Sequence, residues 1–222
     1  MNQKNLVIIL VLLTILVGGY FFIINSKEIE NVDDTASPDG LELIENPDFG
    51  ELPDGLIVPN LDRQVIVPQG FAEDVAKKTI NSIKNIQDGL KENPNNIALW
   101  LELGGLYKSM GDYGGAEGAW IFATQIRPSD WMAYHNLADL YGYYLKNPTK
   151  SEEYILLAIE KAPQELQLYI KAFEIYNEIL GNAEKGAQML VKATEEIPSS
   201  KEQLKPLIDS LPSGGASGGR RI

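Results

Sequence analysis

The chain has 222 residues, 44% of them hydrophobic, with a formal charge of -12 and no cysteine. That length suits one domain of ordinary size with residues left over for tails. The negative charge argues against nucleic acid and anionic lipid surfaces as partners, and the lack of cysteine excludes disulfides, thiolate zinc sites and cysteine nucleophiles.

After "MNQKN", residues 6–24 form an uncharged run rich in Leu, Ile and Val. As a helix this run is about 28 Å long, which matches the hydrocarbon thickness of a bilayer. Residues 1–26 are therefore expected to be a retained single-pass anchor in the cell membrane. A cleaved signal peptide competes with this reading, but its apolar region usually spans only about 7 to 15 residues before a small-residue site. Here no alanine precedes Ala36, and a cut after Gly19 would leave "YFFII" at the new terminus. A buried helix of a soluble fold is the third reading. Lys4 precedes the run and Lys27 follows it among acids, a slight bias that puts the amino terminus inside and the soluble domain outside the cytoplasm.

Residues 27–70 carry Pro38, Pro47, Pro53, Pro59 and Pro68 and no helical periodicity, the pattern of an extended linker. Its stretch "LIVPNLDRQVIVP" is more apolar than a free linker needs, so it either lies against its own domain or offers an edge to a partner strand. Residues 71–96 include "EDVAKKTINSIKNIQDGLKENP", one amphipathic helix that serves as an amino-terminal cap and stops at Pro94.

From residue 97 the chain repeats itself. Trp100, Leu103, Gly104 and Tyr107 fall on one face of a helix that "MGD" ends; Ala116, Trp120 and Ala123 share a face of a second helix, which Pro128 closes. Tyr134, Leu137, Ala138 and Tyr141, then Ser151, Ile155, Ala158 and Pro163, repeat the order, with one residue inserted at the "KNPTK" turn. Tyr169, Ala172, Phe173 and Tyr176, then Gly186, Leu190, Ala193 and Pro198, repeat it again. Asn147 with Pro148 suits a helix start, and Ser200 with Gln203 has capping-box spacing. Units of 97–130, 131–165 and 166–200 follow, with a carboxy-terminal capping helix and flexible tail over 201–222. A hairpin of this kind cannot bury both its faces alone, so the copies are expected to stack.

These residues resemble the tetratricopeptide repeat, a 34-residue motif with this order of aromatic, Leu-Gly, Tyr, Ala, aromatic, Ala and Pro. The first copy agrees throughout, with Trp120 in the place of the usual Phe; the other two lack Gly at Ala138 and Phe173. In outline the chain is also similar to short bacterial membrane-anchored proteins of that family. The resemblance implies an all-α solenoid of about three helical hairpins with flanking caps, whose first helices line a concave groove that binds extended or helical peptides.

Helical geometry turns Leu101, Lys108, Met132, His135, Asp139, Tyr143, Gln167, Ile170 and Glu174 toward that groove, together with Ala98, Gly105 and Glu178. The mixture suits a peptide with apolar anchors and a few basic residues; the plainer reading is a set of solvated helix positions. Some members of the family clamp a partner's terminal carboxylate with Lys and Asn. Here Leu101 and Gly105 stand at the first pair of clamp positions, Asn136 at the second, and Gln167 and Lys171 at the third, so most of the clamp is missing.

Catalysis finds little support. His135 and Asp139 are too few for a metal site, no phosphate-binding G-x-x-x-x-G-K occurs, and the glycines of "GDYGGAEG" serve a turn and close packing. The sequence thus points to a membrane-anchored interaction scaffold, not an enzyme, with a protein or peptide partner and no cofactor or metal. The competing readings are a self-associating structural subunit that uses the convex face or the caps, and an accessory enzyme with a carboxylate site.

Overall fold

The computed structural model describes residues 52, 53 and 55–211. The expected anchor, the first part of the linker and the flexible tail lie outside the described residues. Within them there are eight α-helices and no strand: α1 (Glu73–Glu92), α2 (Ile97–Ser109), α3 (Tyr113–Ile126), α4 (Trp131–Asp139), α5 (Pro148–Lys161), α6 (Leu166–Glu174), α7 (Ala183–Glu196) and α8 (Lys201–Asp209). None of the described helices is long and apolar enough to cross a membrane. Helix α2 packs on α3, α4 on α5 and α6 on α7, and each hairpin rests on the next; α1 covers the first and α8 the last.

Small and large side chains let the helices of a hairpin approach. A Cβ on Gly104 would lie 2.6 Å from Cδ1 of Trp120 and closer still to its Nε1, so the indole lies directly on the glycine and donates to the Leu101 carbonyl at 3.0 Å. The later repeats solve the same contact differently. Ala138 and Ile155 replace the glycine and the tryptophan, and both are fully buried. In the last repeat Phe173 occupies the Gly104 position, and room for it comes from Gly186, where a Cβ would stand 3.3 Å from the phenyl ring. Bulk has moved from one helix of the pair to the other.

The turns repeat as well. Trp100 donates from Nε1 to the Pro94 carbonyl at 2.8 Å, and the hydroxyls of Tyr134 and Tyr169 donate to the carbonyls of Pro128 and Pro163 at 3.2 and 3.0 Å. Each leading aromatic thus ties down the turn six residues before it. Asp112, Asn147 and Asn182 accept at the second-helix starts from the backbone N–H three residues on, which satisfies a donor the helix leaves free. The residue before each of these caps has positive φ: Gly111 at 73°, Lys146 at 53° and Gly181 at 61°.

Two sequence expectations need correction. The extra residue of the second and third copies is not in the "KNPTK" turn. It is taken up at the ends of the first helices, where Leu140–Tyr144 and Ile175–Ile179 each form a π-helical turn. There Leu145 and Leu180 donate to the carbonyls of Leu140 and Ile175, five residues back, and a turn widened in this way absorbs one residue while the buried Tyr141 and Tyr176 keep their register. Second, Ser200 does not cap α8 through its side chain. Its buried hydroxyl donates instead to the Ala193 carbonyl, bonding the last cap to the solenoid.

The linker's apolar stretch lies on its own domain. Leu56, Val58, Leu61, Val65 and Phe71 pack against the amino-terminal core, with Leu61 buried. Arg63 forks onto Asp112 at 2.5 and 2.6 Å, its carbonyl accepts from Gln87 of α1 at 3.0 Å, and Lys91 meets Asp62 at 2.8 Å. The glycines of "GDYGGAEG" make room for this strap: Cβ atoms at Gly115 and Gly114 would stand 3.0 and 3.5 Å from the guanidinium.

Candidate binding face on the first helices

Trp100, Leu103 and Tyr107 turn one side of α2 toward the core, and Leu101, Gly105 and Lys108 therefore lie on its other side. The same division holds in α4 and α6, so three first helices present one continuous face. Pro59, Asn60 and Arg63 of the strap line a hollow together with Trp100, Leu103 and Tyr107, on the core-facing side of α2.

Ionic contacts run across the face. Lys108 of α2 meets Asp139 of α4 at 3.0 Å; Lys171 of α6 meets the other oxygen of Asp139 at 3.7 Å and Glu174 at 2.8 Å. These side chains are 20–29% exposed, so the pairs are partly shielded and stronger than fully solvated ones. Lys108 stands over the rings of Trp120 and Tyr144, at 5.8 and 5.3 Å, and Lys171 over Tyr143 at 5.4 Å. The two π-helical turns add a rung, since the Tyr143 hydroxyl donates to Glu178 at 2.8 Å. Burial and the acceptance by Glu178 raise the phenol's pKa.

His135 lies beside this network, within reach of the charges of Lys171, Asp139 and Lys108. Its burial, then the positive charge of Lys171, holds the imidazole below its usual pKa, against the pull of Asp139. Trp131 meets it edge-on at 6.0 Å. For Lys171, burial alone would lower the pKa, but the bond to Glu174 and the charges of Glu174 and Asp139 raise it, so the ammonium stays charged.

Among the sequence-derived candidates, the fold gathers Lys108, His135, Asp139, Tyr143 and Glu174 into one network. It does not draw in the other four. Leu101 and Ile170 are half-buried and pack on the two core clusters, Met132 is exposed, and Gln167 reaches back to Glu165 at 3.4 Å. Lys171 was legible only as a stray clamp position, yet it is the centre of the ladder. Repeat spacing hides this: Asp139 and Glu174 are 35 residues apart and equivalent, whereas their lysines occupy unrelated places in the repeat. Within this face Asp139 and Glu174 hold lysines and Glu178 holds a tyrosine. Among the described residues no group of three or more potential metal ligands converges.

No protein-family model matches the chain, and no curated protein matches it. Among solved structures, the crystal structure of MamA is similar in its helical architecture, with a TM-score of 0.48 at 19% sequence identity, covering 65% of this chain and 89% of that one.

Proposed function

We propose that this protein is a membrane-anchored interaction scaffold whose first-helix face binds an extended or helical segment of a protein partner outside the cytoplasm. The observation that supports it is the face itself, which the three first helices share. Its floor is stiffened by the Lys108, Asp139, Lys171 and Glu174 ladder and nearly balanced in charge, and exposed Met132 and Tyr144 rise beside it. With two ammonium groups set against three carboxylates, such a face discriminates through apolar and aromatic anchors more than through net charge. The anchor over residues 1–26 is part of the proposal and rests on the apolar run alone.

A second reading has an observation of its own. Leu156 and Val191 are exposed at equivalent positions of α5 and α7, 40% and 45% accessible, on the opposite side of the hairpins, where a second copy would pack. A photo-crosslinking residue placed at Met132 or at Leu156 in the full membrane-bound chain separates the two readings. Adducts with another polypeptide from position 132 alone support the proposed face. Adducts only from position 156, joining two copies, would replace it with self-assembly.

A further inference from the structure

The second and third hairpins share an ionic motif that the first lacks. Lys150 and Lys185 each lie three residues after a helix cap; Lys150 reaches the Tyr141 hydroxyl at 2.9 Å and Lys185 stands 5.5 Å over the ring of Tyr176. Those tyrosines donate to Glu117 and Glu152 on the preceding hairpin, at 2.8 Å in the second case, and Lys185 meets Glu152 at 3.2 Å. Every member recurs 35 residues on. In the first hairpin the lysine position is Gly115. The cation there is Arg63, which bonds Asp112 from 49 residues away, with Nε 3.0 Å from where a Gly115 Cβ would be. Arg63 and Tyr107 line one hollow, and Tyr107 accepts from Gln87 at 2.9 Å in place of bonding a glutamate.

The hold on the strap is modest. Of its apolar residues only Leu61 is buried, Ile57 and Ile66 are 88% and 87% exposed, and the Arg63 side chain itself is 46% exposed. The connection to α1 passes through exposed Gln69 and Gly70. What later hairpins build into one helix, the first obtains from a segment that meets it as a ligand would.

We propose that the surface of the first hairpin around Asp112 is a binding site for an extended segment with an arginine two residues after an apolar anchor, and that residues 56–65 occupy it as an exchangeable ligand in cis. The guanidinium fork reads both oxygens of Asp112, the glycines at 114 and 115 leave it room, and Leu61, buried in the amino-terminal core, supplies the anchor. Tethering keeps the strap at an effective concentration on the order of millimolar, so a partner segment of the same pattern competes only when it binds well or is itself held nearby.

The test uses the full chain carrying a specific protease site at Gln69–Gly70. After cleavage, a labelled peptide of residues 52–69 should enter the folded protein, and the same peptide with Arg63→Ala should compete at least tenfold more weakly; the uncut chain should take up far less label. Equal competition by the alanine peptide, or no entry, would overturn the proposal. So would loss of helical circular dichroism when the strap leaves, which would make the strap an integral part of the fold. Gly115→Lys gives an independent check, since it restores the lysine of the other hairpins and fills the guanidinium's place. Amide exchange over residues 56–65 should then quicken at least tenfold while α5 to α7 keep their protection. Unchanged strap protection, or a general rise in exchange, would count against it.

Discussion

Gly104→Ala tests the packing between hairpin helices most directly. At an ordinary interior helix position this change stabilises by about 1 kcal/mol, because alanine is the better helix former. At Gly104 the new methyl would overlap the Trp120 indole, which is 1% exposed. Overpacking of that kind costs about 1–3 kcal/mol, and pushing the ring aside breaks its bond to the Leu101 carbonyl, about 1 kcal/mol more. The net expectation is a loss of about 2 kcal/mol, which lowers a urea midpoint by roughly 1 M if m is about 2 kcal/mol/M. Circular dichroism at increasing urea measures it. The second repeat supplies the control: Gly104→Ala with Trp120→Ile recreates the pairing of Ala138 with Ile155, so the double variant should recover part of the loss, with a coupling of about 1 kcal/mol or more. If Gly104→Ala raised the midpoint, or the two changes were simply additive, the argument from steric contact would fail.

Three further outcomes are expected. Lys146 holds a φ of 53° at the place where the other hairpins have Gly111 and Gly181, so Lys146→Gly should stabilise by roughly 0.5–1 kcal/mol, and a lower thermal midpoint would refute that. Asp139→Asn leaves Lys108 and Lys171 close together without their shared carboxylate; a loss of about 1–2 kcal/mol that shrinks in 1 M salt is expected, and a salt-independent loss would point to shape instead of charge. His135 has a folded-state pKa below the ordinary imidazole value of 6.5, so the unfolded chain takes up its proton first. Stability from this group is therefore complete above about pH 6.5 and declines as pH falls from there toward the folded value. His135→Gln should remove that slope between pH 7 and 5, as followed by urea midpoints; a variant that kept the slope would place its origin elsewhere.

How much of this was legible in advance depends on distance along the chain. Register was readable because the inner-face positions recur: aromatic or apolar residues stand at the places of Trp100, Leu103 and Tyr107 at intervals of 34 or 35, and hydrophobic burial at helical spacing is a local signal. The Asn147 cap was readable for the same reason, since one side chain satisfies a backbone group three residues away. The face was only half readable. Helical geometry turns Lys108, Asp139 and Glu174 outward, but which charges meet depends on how far apart neighbouring helices lie, and the role of Lys171 follows from that spacing alone.

Sequence alone determined the all-helical hairpins, their number and their inner faces, because each is an amphipathic pattern that folds against its immediate neighbour. Tertiary structure decided three things that no local pattern carries. It placed the inserted residue in π-helical turns, since keeping Tyr141 and Tyr176 buried outweighs regular hydrogen bonding over one turn. It exchanged bulk between Phe173 and Gly186, a compensation visible only when both helices are in contact. And it brought Arg63 to Asp112 across 49 residues, because the carboxylate and the apolar surface that hold the strap come together only once the first hairpin has formed.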